Sequence, residues 1–105
     1  MTPFRARLAD RRPSETFGFA CNGLQYTTTI SRFPDGQLAE IFINNAKAGS
    51  HSDTAAKDAA VVCSIALQYG VPLDVIRHAL LRDSRGKASS PLGVVLDLLA
   101  GERAS

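Results

Sequence analysis

Two tight-turn signals bracket one run of alternating residues, and this arrangement constrains the fold more than any other feature of the chain. Asn22-Gly23 tolerates the positive φ angles that a two-residue hairpin needs. In Phe33-Pro34-Asp35-Gly36, proline presets φ and glycine supplies a conformation that a Cβ would oppose. Between these turns lies Leu24 to Arg32 (LQYTTTISR), rich in β-branched and aromatic residues with a period of two. Leu24, Tyr26, Thr28 and Ile30 share one face of it. Phe17, Phe19 and Cys21 alternate with Gly18 and Ala20 before the first turn, and Leu38 to Asn44 follows the second. Turns this short join antiparallel neighbours, so a three-stranded meander is predicted.

The period then changes. Ala55, Ala59, Val62, Ala66 and Tyr69 form one helical stripe, with Ala56, Ala60, Cys63 and Leu67 beside it. Lys57, Asp58, Ser64 and Gln68 leave only a narrow polar edge, which predicts a central, closely packed helix. Ser52 or Asp53 is expected to cap it and Gly70 to end it. Pro72 suits the first turn of a second helix, with Leu73, Ile76, Ala79 and Leu80 inward and Asp74, Arg77, His78 and Arg82 outward. After a polar loop from Asp83 to Ser89, Ser90 caps a third helix with Pro91 at its first position. Leu92, Val95, Leu96 and Leu99 are its buried face, and Gly101 is expected to stop it. The predicted class is α+β: a three-stranded antiparallel meander followed by three helices packed on one sheet face.

A chain of 105 residues has room for one domain. With 45% apolar and 21% charged residues it is composed like an ordinary globular protein. Net charge is only +2, and four of the nine arginines (Arg5, Arg7, Arg11, Arg12) lie in the first twelve residues. The expected division is a flexible basic arm over 1–14, one domain over 15–100 and a tail over 101–105. The plain reading of the arm is a solvated tail; the alternative is a phosphate or partner contact. Cys21 and Cys63 are far apart and form no CxxC, and no metal-ligand spacing involves His51 or His78. Two reduced, buried thiols and a cytoplasmic location are expected, with no membrane contact.

Catalytic signals are weak. Glu15, Asp35 and Glu40 are scattered, so no catalytic residue is expected. Lys47, Gly49, Ser50 and His51 immediately precede a predicted helix N-terminus, which attracts anions. A phosphate or nucleotide contact there competes with the plainer reading, a capped strand-to-helix connection. Segment 66–82 has the spacing of a helix-turn-helix, with Arg77, His78 and Arg82 on its second helix and Arg11 and Arg12 in the arm as nucleic-acid contacts. Any two helices joined by a glycine turn mimic that spacing.

From Arg11 to Leu99 the chain resembles the TSCPD domain, found near the C-terminus of cobalamin-dependent ribonucleotide reductases and as short stand-alone bacterial proteins. The matching residues include Arg12 and Glu15, Gly23-x-x-Tyr26-Thr27, Arg32-Phe33-x-Asp35-Gly36 and Ala39-Glu40-x-Phe42. They continue through Lys47-x-Gly49, Ser64-x-Ala66-Leu67-Gln68-x-Gly70-x-Pro72 and Ala79-Leu80. The run that names the family is here Ala88-Ser89-Ser90-Pro91-Leu92, without its cysteine and aspartate, so no thiol or metal role carries over. Leu92-Gly93-Val94-Val95-Leu96-Asp97 is similar to the stand-alone members. The resemblance implies a non-catalytic accessory domain that binds a protein partner, such as a ribonucleotide reductase or another nucleotide-metabolism protein, or a nucleotide. Adenosylcobalamin enters by family association only; no cofactor is expected in this chain. Partner docking is expected through the sheet face of Thr27, Thr29 and Ser31 or through the loop at Lys47, and a homodimer along an exposed strand edge completes the expectations. The competing expectation is a small DNA-binding regulator.

Overall fold

The computed structural model describes residues 4–8 and 13–104. Strands β1 (Ser14–Cys21), β2 (Leu24–Arg32) and β3 (Leu38–Asn45) precede helices α1 (His51–Gln68), α2 (Leu73–Ala79) and α3 (Pro91–Ala104). The sheet has the order β1-β2-β3 with both pairings antiparallel, so the predicted meander and α+β class hold. Asn22 (φ 52) and Gly23 (φ 78) turn the first hairpin with the backbone that dipeptide favours. At the second turn Gly36 (φ 90) donates its N–H to the Phe33 carbonyl at 2.9 Å.

Phe19, Tyr26, Ile30, Ile41 and Ile43 of the sheet pack against Ala56, Ala60, Cys63 and Leu67 of α1. Leu92, Val95, Leu96 and Leu99 of α3, the expected face, complete this core. The Phe19 and Tyr26 rings stack at 5.4 Å across the first strand pair.

Helix α1 differs from its prediction in two ways. It starts earlier: Ser50 is the cap, not Ser52 or Asp53, and its hydroxyl accepts the Asp53 N–H at 3.1 Å. It also turns a different face inward. Ala56, Ala60, Cys63 and Leu67 are buried, but so are Asp53, Ser64 and Gln68. The stripe from Ala55 to Tyr69, expected to be packed, leaves Val62 and Tyr69 in water. The reason is an edge strand. The Ser64 hydroxyl donates to the Ile41 carbonyl (3.0 Å) and accepts the Ile41 N–H (2.8 Å). Gln68 donates to the Ala39 carbonyl (3.0 Å), and Asp53 accepts the Asn45 N–H (2.9 Å). These are backbone groups of β3 that point away from β2, and a buried edge must satisfy them.

Helix α2 is shorter than expected. Pro72 is its N-cap rather than part of its first turn, and Leu80 is already extended (ψ 153). Arg82 therefore lies beyond the helix, in an isolated bridge with Ala88, and Ala79 is exposed. Ser90 caps α3 as predicted, accepting the Gly93 N–H at 3.2 Å. Gly101 does not stop α3, which continues through it in helical backbone to Ala104.

Candidate functional site

The outward side of α1 carries the largest run of exposed apolar residues on one described element. Val61 (47%), Val62 (67%), Ile65 (36%) and Tyr69 (36%) face water. Lining up Asp53, Ser64 and Gln68 with β3 leaves these side chains on the far side of the same helix. Sequence reasoning missed the buried role of those polar residues. Their spacing, eleven and then four residues, was the available signal for one polar face.

The Lys47–His51 loop precedes α1 as expected, but the Lys47, Gly49 and Ser50 N–H groups are already engaged within the chain. The Asp53 carboxylate is 1% exposed; one oxygen accepts from Asn45 N–H and the other from Gly49 N–H, both at 2.9 Å. Lys57 Nζ lies 2.9 Å from it. The Lys57 hydrogen bond, then those from Gly49 and Asn45, lower its pKa from 3.8 to about 2. Ser50 caps the helix, the Lys47 N–H donates to Asn45 Oδ1 (2.8 Å), and His51 is exposed.

The basic residues of segment 66–82 converge on one acid. Arg82 makes two hydrogen bonds to the Asp97 carboxylate (2.7 and 2.8 Å), and Arg77 Nε makes another (2.8 Å). Arg82, and less so Arg77, hold the Asp97 pKa down to about 2. His78 is exposed, with a ring nitrogen 3.4 Å from Arg77 Nη1. Arg11 and Arg12 lie outside the described residues. Of the arm, Arg5 Nε donates to Gln68 Oε1, and the Ala6 N–H donates to the Gln68 carbonyl at 2.7 Å.

A cleft of about 650 Å³ opens between the β2–β3 turn and the α1–α2 junction. Arg32, Asp35, Gly36 and Gln37 line one wall and Gly70, Pro72 and Asp74 the other, over Leu38, Leu67 and Leu99. Two stretches distant in sequence, one with Arg32, Asp35 and Gly36 and the other with Gly70, Val71 and Pro72, thus meet at one opening. Both cysteines are free and buried; burial raises both thiol pKa values, that of Cys63 to about 11. Among the described residues, no group of three histidine, cysteine or acidic side chains could hold a metal ion. No described helix is long and apolar enough to cross a membrane.

The TSCPD domain matches residues 4–100, and the chain belongs to that family. It is 42% identical over 74 residues to a vitamin B12-dependent ribonucleotide reductase of Rhodopirellula baltica, a match covering 70% of this chain and 7% of the relative. The same-named protein of Streptantibioticus cattleyicolor is 36% identical over 72 residues (69% and 12%). That of Bradyrhizobium diazoefficiens is 36% identical over 70 residues (67% and 6%). The chain therefore spans only a small part of the relatives it matches. No solved structure matches it.

Proposed function

We propose that this TSCPD-domain chain is a non-catalytic accessory domain that docks onto a protein partner of the ribonucleotide reductase type. The outward face of α1 carries the reading. A contiguous exposed patch such as Val61, Val62, Ile65 and Tyr69 marks an interaction surface, because covering it removes apolar area from water. The kind of partner is supported by the relatives, whose matching segment is one part of a much longer reductase polypeptide.

The test is calorimetric. The chain is titrated into a vitamin B12-dependent reductase polypeptide from which the matching segment has been removed. Binding is expected, and Val62→Glu is expected to weaken it by more than about tenfold, or ~1.4 kcal/mol. Val62 is exposed, so the variant keeps its fold. No heat of association, or equal affinity of the variant, would overturn the proposal.

The loop at Lys47–His51 contributes less to this reading. An added phosphate would meet the Asp53 carboxylate, which already accepts the Gly49 N–H. ATP titration should leave those amide resonances unmoved, whereas a nucleotide-binding role would shift them.

A further inference from the structure

The two edges of the sheet are treated differently. On β3, α1 side chains take up outward backbone groups of Ala39, Ile41 and Asn45. On β1 the hairpin settles which groups face out. Cys21 and Leu24 flank a two-residue turn and so form a hydrogen-bonded pair. By alternation Phe19, Phe17 and Glu15 also direct their backbone to β2. Ser14, Thr16, Gly18 and Ala20 direct theirs away. Bonding of the Ala46 N–H to the Gln25 carbonyl agrees with this phase on the other side of β2. All of these outward residues of β1 are exposed, and among the described residues none of their backbone groups meets a partner.

Gly18, at the centre of this edge, is a second and independent observation. Its φ is not in the left-handed region, and the β1–β2 register runs through it without a bulge. An added Cβ would meet only the Tyr26 carbonyl oxygen at 3.7 Å, an ordinary contact. Nothing among the described residues calls for glycine here. Close approach of another backbone is a reason for a strand to carry one.

We propose that β1 pairs antiparallel with β1 of a second copy of this chain, about a two-fold axis beside Phe17. In that register Thr16 lies opposite the partner's Gly18 and Ser14 opposite the partner's Ala20, so every outward group on both edges is used. Phe17, half-buried, meets its own counterpart at a non-hydrogen-bonded position, where side chains come closest. The two Glu15 carboxylates stand toward opposite ends of the pair and do not face each other. The symmetry makes the contact self-complementary, and the guarded β3 edges stop further growth, which closes the assembly at a dimer.

The test combines sedimentation with amide exchange from micromolar to millimolar protein. The mass should rise from 11.2 kDa toward twice that value with concentration. The amides of Thr16, Gly18 and Ala20 should gain protection in step, while those of Phe17 and Phe19 stay protected throughout. Gly18→Pro removes only an outward N–H, so the monomer keeps its ladder and the dimer dissociation constant should rise at least about tenfold. Gly18→Lys, which keeps every hydrogen bond of the monomer, should do the same. A mass of 11.2 kDa at all concentrations would overturn the proposal. So would a dimer that survives both variants, or outward amides already protected at the lowest concentration.

Discussion

Removing one hydroxyl should test whether α1 is held by its polar contacts with β3. Ser64→Ala deletes the group that both donates to and accepts from Ile41. Ile41 is fully buried and Ser64 nearly so, so water cannot take over without local opening. Each orphaned backbone group costs about 1–3 kcal/mol, and two are orphaned together. Alanine returns roughly 0.5 kcal/mol through its better helix propensity. The net expectation is a loss of about 1.5–5.5 kcal/mol. Urea denaturation should show a lower midpoint with an unchanged slope, since the surface exposed on unfolding is the same. The melting temperature should fall by roughly 10 °C or more for a domain of this size. Asp58→Ala, on the exposed side of the same helix, is the control and should stay within about 0.5 kcal/mol of wild type. If Ser64→Ala is as mild as the control, Ile41 finds other partners and the edge-satisfaction argument fails.

Three further outcomes follow from the geometry. Asp53 and Asp97 both have folded pKa values of about 2, below the ordinary 3.8, so folding favours their charged forms. Their contribution is complete above about pH 4 and is lost as pH falls toward 2; denaturation midpoints across that range should show it, and Asp97→Asn should flatten part of the fall. Cys63, with a thiol pKa of about 11, should react with a disulfide reagent at pH 8 about a hundredfold more slowly in the native chain than in urea; equal rates would contradict its burial. Gly93→Ala and Gly101→Ala, on one helix, should have opposite signs in thermal melts. A Cβ at Gly93 would come within 2.9 Å of the Ala88 Cβ, whereas none lies near one at Gly101, where alanine should gain up to about 1 kcal/mol.

Where the sequence carried local chemistry, it was readable. Asn22-Gly23 and the alternation of Leu24 to Arg32 specify a hairpin and a strand, and Ser90-Pro91 specifies a helix start, because each acts through its own backbone. The inward face of α1 was not readable in this way. Two small-residue stripes are equally apolar, and a polar residue on a helix ordinarily faces solvent. A strand edge is itself polar, so Ser64 and Gln68 match it better than any hydrocarbon could. The roles of Arg77 and Arg82 were hidden for another reason. Their acid, Asp97, lies on α3, far along the chain, and no local period records that pairing. Asp53 was visible only as a cap candidate, since its partners Asn45 and Gly49 lie outside the helix.

The guarded edge and the exposed apolar face are two results of one helical arc. At ~100° per residue, Asp53, Ser64 and Gln68 fall within about 60° of one another, directly beside Ala56, Ala60, Cys63 and Leu67. With that arc turned to β3 and the core, Val61, Val62, Ile65 and Tyr69 necessarily point elsewhere. Rotating α1 to bury them would strip Ile41, Ala39 and Asn45 of their partners and draw Asp53 away from Gly49. Among the described residues, rotation of α1 therefore does not relieve the apolar face, and the proposed docking partner would cover it. That cover would lie on the β3 side of the sheet, whereas the open row of backbone groups lies on β1, across β2. Docking at α1 and pairing at β1 thus occupy opposite flanks and should be separable: Val62→Glu should leave the sedimenting mass unchanged, and Gly18→Pro should leave the heat of docking per chain unchanged. Coupled loss of both in either variant would mean that the two surfaces are one, contrary to the sheet order.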